Sequence, residues 1–318
     1  MTETATKRIF AYKICTPVAN LEFDQMNKDV YLKQIFEPFL GEIMNQNVNV
    51  KALREEGKFF DINSINQNED ADYLEGVFHT TRYGTQNDII EITTQAIQGH
   101  VLPTQGVRFD VHFVLCRRTG LLLVESDPFR VATRNTIDTY LSKKQTLVKK
   151  FIEDYNKENY PQFVYDSMVF TIESVMDQGF YDQLAEISKV KEVSGYMEVT
   201  DDGQNAAISK FKKDAAGDEH NVSEVTEFKI SLINSVRNSG LKHVKRFIDN
   251  SLDLEKFSRF EVSGYDNMNK KRTASFNVKP VSFYVNVGIN GNGVINSAQL
   301  IQEMVNIAKE DNPLDSEG

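Results

Sequence analysis

Basic residues supply the most suggestive chemistry in this sequence, because a protein that holds nucleic acid must meet each phosphate with a local cation. Four runs gather them: Lys143, Lys144, Lys149 and Lys150 in SKKQTLVKK; Lys210, Lys212 and Lys213 in ISKFKKD; Lys242, Lys245 and Arg246, with His243, in LKHVKR; and Lys270, Lys271 and Arg272 in NKKR. Any one run alone reads as a solvated face. Four of them in a chain of formal charge −10 point to a local basic surface set against a negative whole. If the runs converge, or meet on a dimer axis, they form a groove that tracks phosphates without reading bases. The acidic balance excludes a protein that coats nucleic acid with its entire surface.

Other residue types offer less. Asp110 in FDVHF and Glu125 in LVES are the carboxylates with which a metal-dependent nuclease would hold Mg²⁺, yet no lysine follows either at the two-residue spacing of such sites. The histidines, His79, His100, His112, His220 and His243, never meet Cys, Asp or Glu at metal-ligand spacing. Cys116 lies four residues after His112, which on a strand puts both on one face, as ordinary strand neighbours are. The glycine-rich GINGNG (residues 288–293) lacks the Lys-Ser/Thr that completes a phosphate loop and runs into Val294–Ile295, so it reads as a turn. The reading is of no catalytic residue, no metal and no small-molecule cofactor. A metal-dependent nuclease is the enzymatic alternative, and a protein-interaction component of a phage or mobile element is the other.

These residues need elements to place them. RIFAYKICTPV alternates as a strand, and Phe23, Met26, Val30, Ile35 and Phe39 fall near helical spacing, predicting a helix over 23–39 that Pro38 ends or bends. Residues 42–72 predict one short strand, 59–62, between mobile loops. YLEGVFHTTRYG, DIIEITTQAI, VRFDVHFVLCRR and LLLVES predict four strands, the last two a hairpin through Thr119–Gly120. A helix follows from Arg134, with a possible continuation through TLVKKFIEDY. In the second half FVYDSMVFTIESV predicts a long strand, FYDQLAEI a helix and VKEVSGYMEVT a strand. Residues 201–220 read as a loop or exposed helix. VSEVTEFKISLINSV and LKHVKRFIDNSL predict helices, FSRFEVSGYD and KRTASFNV a pair of strands, SFYVNVGI a strand and SAQLIQEMVNIAKE a final helix.

The length of 318 residues predicts two domains, 1–159 and 160–318, in an α+β fold in which each is a mostly antiparallel sheet packed with helices, with a disordered tail from about 311. The two cysteines, Cys15 and Cys116, sit in apolar strands as reduced thiols. With no membrane-length apolar run and no leader, the expected location is the cytoplasm.

SRFEVSGYDNMNKKRTASFNVKPVSFYVNVGINGNGVINSAQLIQEMVNIA resembles the closing strands and final helix of RexA-like phage exclusion proteins. LLLVESDPFRVATRNTIDTYLSKK looks like a strand and helix of that family, and ISKFKKD is similar to its lysine-bearing segment. The resemblance covers about half of the chain. It implies a cytoplasmic homodimer that binds duplex DNA with little sequence preference, contacts it through Lys210, Lys212 and Lys213, senses invading phage DNA, and triggers a membrane effector in superinfection exclusion or abortive infection.

Overall fold

The computed structural model describes residues 4–23, 25–167, 169–175, 178–198, 227–236, 239–244, 247–248, 257, 259–277 and 281–314. In chain order the first elements are β1 (Thr4–Cys15), β2 (Val18–Asn20), β3 (Gln25–Asn27), α1 (Lys33–Met44), the single-turn α2 (Val48–Lys51), β4 (Leu53–Glu55), β5 (Lys58–Gln67), β6 (Tyr73–Arg82), β7 (Asn87–Ile90), β8 (Ile97–Val101), β9 (Phe109–Cys116) and β10 (Leu121–Glu125). There follow α3 (Arg134–Lys143), α4 (Lys149–Glu158), β11 (Gln162–Phe163), β12 (Thr171–Ser174), α5 (Gln178–Ala185), β13 (Lys189–Glu198), β14 (Glu227–Ile233), β15 (Arg259–Tyr265), β16 (Lys271–Asn277), β17 (Ser282–Gly288) and α6 (Ser297–Glu310). Each strand pairing among them is antiparallel. The mixed, mostly antiparallel fold agrees with the expectation.

The chain divides into two compact units, Met1–Val175 with Pro280–Gly318, and Met176–Lys279. This is not the division at residue 159 read from length, because β17 pairs with β1 from Thr4↔Gly288 to Phe10↔Ser282 and carries α6 with it into the first unit. The first unit is built on a sheet ordered β12-β1-β10-β9-β6-β5-β4, with β17 also on β1. One edge of β1 takes β10; the other takes β17 and then β12.

Helices cover both faces of that sheet. Ile35, Phe39 and Ile43 of α1, Ile137 and Tyr140 of α3 and Ile152 of α4 join Phe60, Phe78, Val111, Phe113 and Val124 in one core. Leu300, Met304 and Val305 of α6 join Ile9, Ala11, Val114, Leu121, Leu123, Val285 and Val287 in the other. An antiparallel sheet with one wet face would alternate; here every residue of β10 and all of 111–116 are buried, as double coverage demands. The second unit has a four-stranded sheet, β14-β13-β15-β16, with its own core of Val193, Phe260, Val262 and Ala274 against Val244 and Ile248.

Several expectations are corrected. The helix expected over 23–39 starts at Lys33, and Phe23 and Met26 are exposed, so their spacing was coincidental. Pro38 lies inside α1 without ending it, because buried Ile35, Phe36, Phe39, Leu40 and Ile43 anchor both sides of the missing N–H. The strand expected over 59–62 runs from Lys58 to Gln67, and DIIEITTQAI is a hairpin, β7–β8. A 3₁₀ turn, Gln145–Val148, separates α3 from α4. The long strand in FVYDSMVFTIESV is only β11 and β12: the Asn156 side chain accepts from the Val164 N–H (2.8 Å) and donates to its carbonyl (3.0 Å), occupying groups that a ladder would use. VSEVTEFKISLINSV contains a strand, β14, whose ladder with β13 runs from Glu192↔Ile233 to Glu198↔Glu227. Most of LKHVKRFIDNSL lies outside the described residues. The tail begins packed, with Asn312 buried and Leu314 against the α6 core.

Close packing makes a test of the sheet. A Cβ on Gly76 of β6 would sit 2.4 Å from the Phe113 ring and 2.4 Å from the Ser64 carbonyl, whereas one on Gly99 of β8 meets nothing closer than 3.9 Å. Urea denaturation should show Gly76→Ala destabilised by about 1–3 kcal/mol and Gly99→Ala within about 0.5 kcal/mol of the parent.

Candidate nucleic-acid interface

Lys210, Lys212 and Lys213, together with Lys245 and Arg246, lie outside the described residues. The remaining sequence-picked cations fall on two different units. Lys143 ends α3 and pairs with Glu55, and Lys144 donates to the Val50 carbonyl; Lys149 and Lys150 open α4 and are exposed. In the second unit Lys242 is exposed, and Lys270, Lys271 and Arg272 begin β16, with the Arg272 Nε held 3.1 Å from Asp266 Oδ2. The four runs are thus not four copies of one feature: Lys143 and Arg272 are occupied by carboxylates, while Lys149, Lys150, Lys242, Lys270 and Lys271 pair with none among the described residues.

Lys271 belongs to a larger arrangement. Register places Lys271 beside Tyr265 and Lys189; Thr273 beside Ser263 and Glu192; Ser275 beside Glu261, Ser194 and Ser231; and Arg259 beside Tyr196 and Lys229. These side chains share the sheet face opposite the Val193–Phe260–Val262 core, since paired residues point the same way and successive ones alternate. Lys229, Tyr265, Lys271, Thr273 and Ser275 are exposed, and Tyr196, Arg259, Glu261 and Ser263 are half-buried. By register the face carries four cations, Lys189, Lys229, Arg259 and Lys271, and four carboxylates, Glu192, Glu261 and the paired Glu198 and Glu227.

Glu192 and Glu261 are engaged. Glu192 accepts from the Ser194 hydroxyl (2.9 Å) and pairs with Lys229 (3.2 Å), and the same two groups, the hydroxyl foremost, hold its carboxyl below the usual range. Glu261 accepts from the Tyr196 hydroxyl at 3.3 Å. The Arg259 guanidinium lies 3.9 Å from the Tyr196 ring centroid and the Lys229 ammonium 5.5 Å, so the tyrosine holds both cations in place on the sheet. Tyr265, 39% exposed, offers an open ring next to Lys271. Sequence reading singled out Lys271 alone here. The signal was the alternation in VSGYMEV and RFEVSGY, but reading residues 222–236 as a helix hid Lys229 and Ser231 from the same face.

The residues weighed for catalysis are arranged differently. Glu125 is buried, with Lys7 Nζ 2.8 Å from Oε1 and His112 Nδ1 2.8 Å from Oε2, and the His112 N–H also donates to it at 3.2 Å. Asp110 faces Arg108 (3.1 Å) and His79 (3.4 Å). Glu125 therefore meets three nitrogen groups and Asp110 two, instead of an open cation site. Burial drives the His79 imidazole down from its ordinary pKa. The His112 ring is taken up by Glu125 rather than by Cys116, and GINGNG forms the turn into α6, Asn290 Oδ1 accepting from the N–H groups of Asn292 and Val294. Among the described residues one trio could hold a metal, Cys15, Asp29 and Glu173, and the Lys13 ammonium stands 3.9 Å from Asp29 there.

Burial pushes the Glu125 carboxyl up, but hydrogen bonds from His112 and Lys7 outweigh it and leave it below the usual carboxylate range. A lowered folded pKa contributes stability in full above the unfolded value of about 4.3, and the contribution disappears as pH falls through the folded value. Glu125→Gln should therefore cost about 3 kcal/mol in urea melts at pH 7, and the gap to the parent should narrow steadily below about pH 4. No protein-family model matches the sequence, and no curated protein matches it.

Proposed function

We propose that this chain binds nucleic acid through the polar face of the β14-β13-β15-β16 sheet, with single-stranded segments as the preferred form. The observation that carries the reading is the juxtaposition on that face of Tyr265 and Tyr196 with Lys189, Lys229, Arg259 and Lys271. Cations track the phosphate backbone while the exposed Tyr265 ring takes up an unpaired base by stacking, which tolerates any sequence. Duplex readers present a helix or a narrow two-stranded ribbon to the major groove. A four-stranded face with rings and hydroxyls is the geometry for splayed bases, with hydroxyls available to backbone and base edges. The sequence resemblance implies duplex DNA; the sheet face favours single strands, which is the form of the proposal. Within the phage-exclusion setting of that resemblance, binding would be the sensing step of a homodimer that signals to a membrane effector. Among the described residues no helix is long and apolar enough to cross a membrane.

Fluorescence anisotropy with a labelled single-stranded oligonucleotide, in parallel with its duplex, tests the proposal. The single strand should bind more tightly, and its affinity should fall steeply as salt rises. Lys270→Glu with Lys271→Glu should weaken binding and flatten that salt slope, and Tyr265→Ala should cost about 1–3 kcal/mol. Absent binding, or binding indifferent to salt, refutes it.

A further inference from the structure

A cleft of about 300 Å³ opens in the first unit between β4 and the C-terminal end of α3, lined by Leu53, Arg54, Glu55, Tyr140, Lys143 and Lys144 among others. Its size is at the lower end of small-ligand sites. We propose that this cleft binds a phosphorylated small molecule: a phosphate monoester whose compact body rests on Leu53.

Charge is the first argument. Three cations face one carboxylate, an excess that matches a phosphate dianion in a protein whose overall charge is −10. Lysines at a helix C-terminus are accounted for by the helix dipole alone. Arg54 is not, since it comes from β4 and converges on the same space.

The second argument is what each cation lacks. Lys144 is half-buried and donates to the neutral Val50 carbonyl, with its ammonium 5.7 Å from the Tyr140 ring. Burial lowers its pKa, against a weaker opposing pull from Asp61. A half-buried ammonium without a close anion is the group that a bound phosphate would satisfy. Arg54 is held in position by its NH1 on the Asn49 carbonyl (2.9 Å) and its guanidinium 5.4 Å from the Phe59 ring, leaving further N–H groups to donate. Lys143 is bound to Glu55, about half exposed on both sides, a surface pair of small net worth that a dianion can displace.

Isothermal titration of the full chain with adenosine monophosphate, adenosine and inorganic phosphate tests the assignment. The monophosphate should bind saturably, inorganic phosphate should compete with it, and adenosine should bind at least about tenfold more weakly. Arg54→Met and Lys144→Met should each lose about tenfold in affinity or more. Lys144→Arg, which keeps charge and fold, should retain binding, and so should Lys149→Met with Lys150→Met, outside the cleft. Lys270→Glu with Lys271→Glu should also leave this binding intact, separating the cleft from the sheet face of the second unit. Equal affinity for adenosine, absence of competition by phosphate, no saturable binding, or unchanged binding in the Arg54 and Lys144 variants overturns the proposal.

Discussion

The first unit depends on β1. Both of its edges are used, by β10 on one side and by β17 followed by β12 on the other, and the Thr6 hydroxyl donates to an Asn286 carboxamide 280 residues away in sequence. Without that pairing α6 is not carried back to β9 and β10, and Ile9, Ala11, Leu121 and Leu123 lose the far side of their core. The connection is entropically expensive to form, since the ends of nearly the whole chain must meet before any of the contacts around it contribute. It holds because β9 and β10, buried on both faces, supply a local hairpin on which the long-range strands assemble.

Double coverage sets the terms for every charge near that sheet. Glu125 and His112 are buried between apolar strand residues such as Val111, Phe113 and Val124, and they persist there as a pair completed by Lys7. Asp61 and Lys51 repeat the pattern near the opposite edge of the sheet with a looser geometry, and burial holds the Asp61 carboxyl above its ordinary pKa despite the ammonium beside it. In the second unit one face of the sheet carries the core while the other displays charge. Its cations are steadied by Tyr196 and by two engaged carboxylates. The same residue types therefore have different roles in the two sheets, and the number of covered faces is what separates them.

Strand and helix identity was largely legible wherever a period was sustained. VHFVLCRR-TG-LLLVES announced its hairpin and SAQLIQEMVNIAKE its amphipathic helix, and both form. EFKISLI was ambiguous: Phe228, Ile230 and Leu232 satisfy a period of two, yet in their longer window they satisfy a helical one as well, and the ladder with β13 decided the matter. Val164 shows the reverse case, in which an apolar alternating segment loses its ladder to one asparagine side chain. Lys143 and Lys144 were visible as charge, but their setting in a cleft with Arg54 was not, because α3 reaches β4 through the Lys143–Glu55 pair only once Tyr140 packs on Phe60 of β5.

By itself the sequence determined the class of fold, the buried thiol strands and the presence of basic runs within an acidic chain, all of which follow from composition and local period. Tertiary structure alone decided that the last strand belongs with the first, that Glu125 is bound by Lys7 and His112, and which lysines keep an open side. The reason is physical: pairing across hundreds of residues and the neutralisation of a buried charge depend on which groups meet in space, and no local pattern along the chain encodes that meeting.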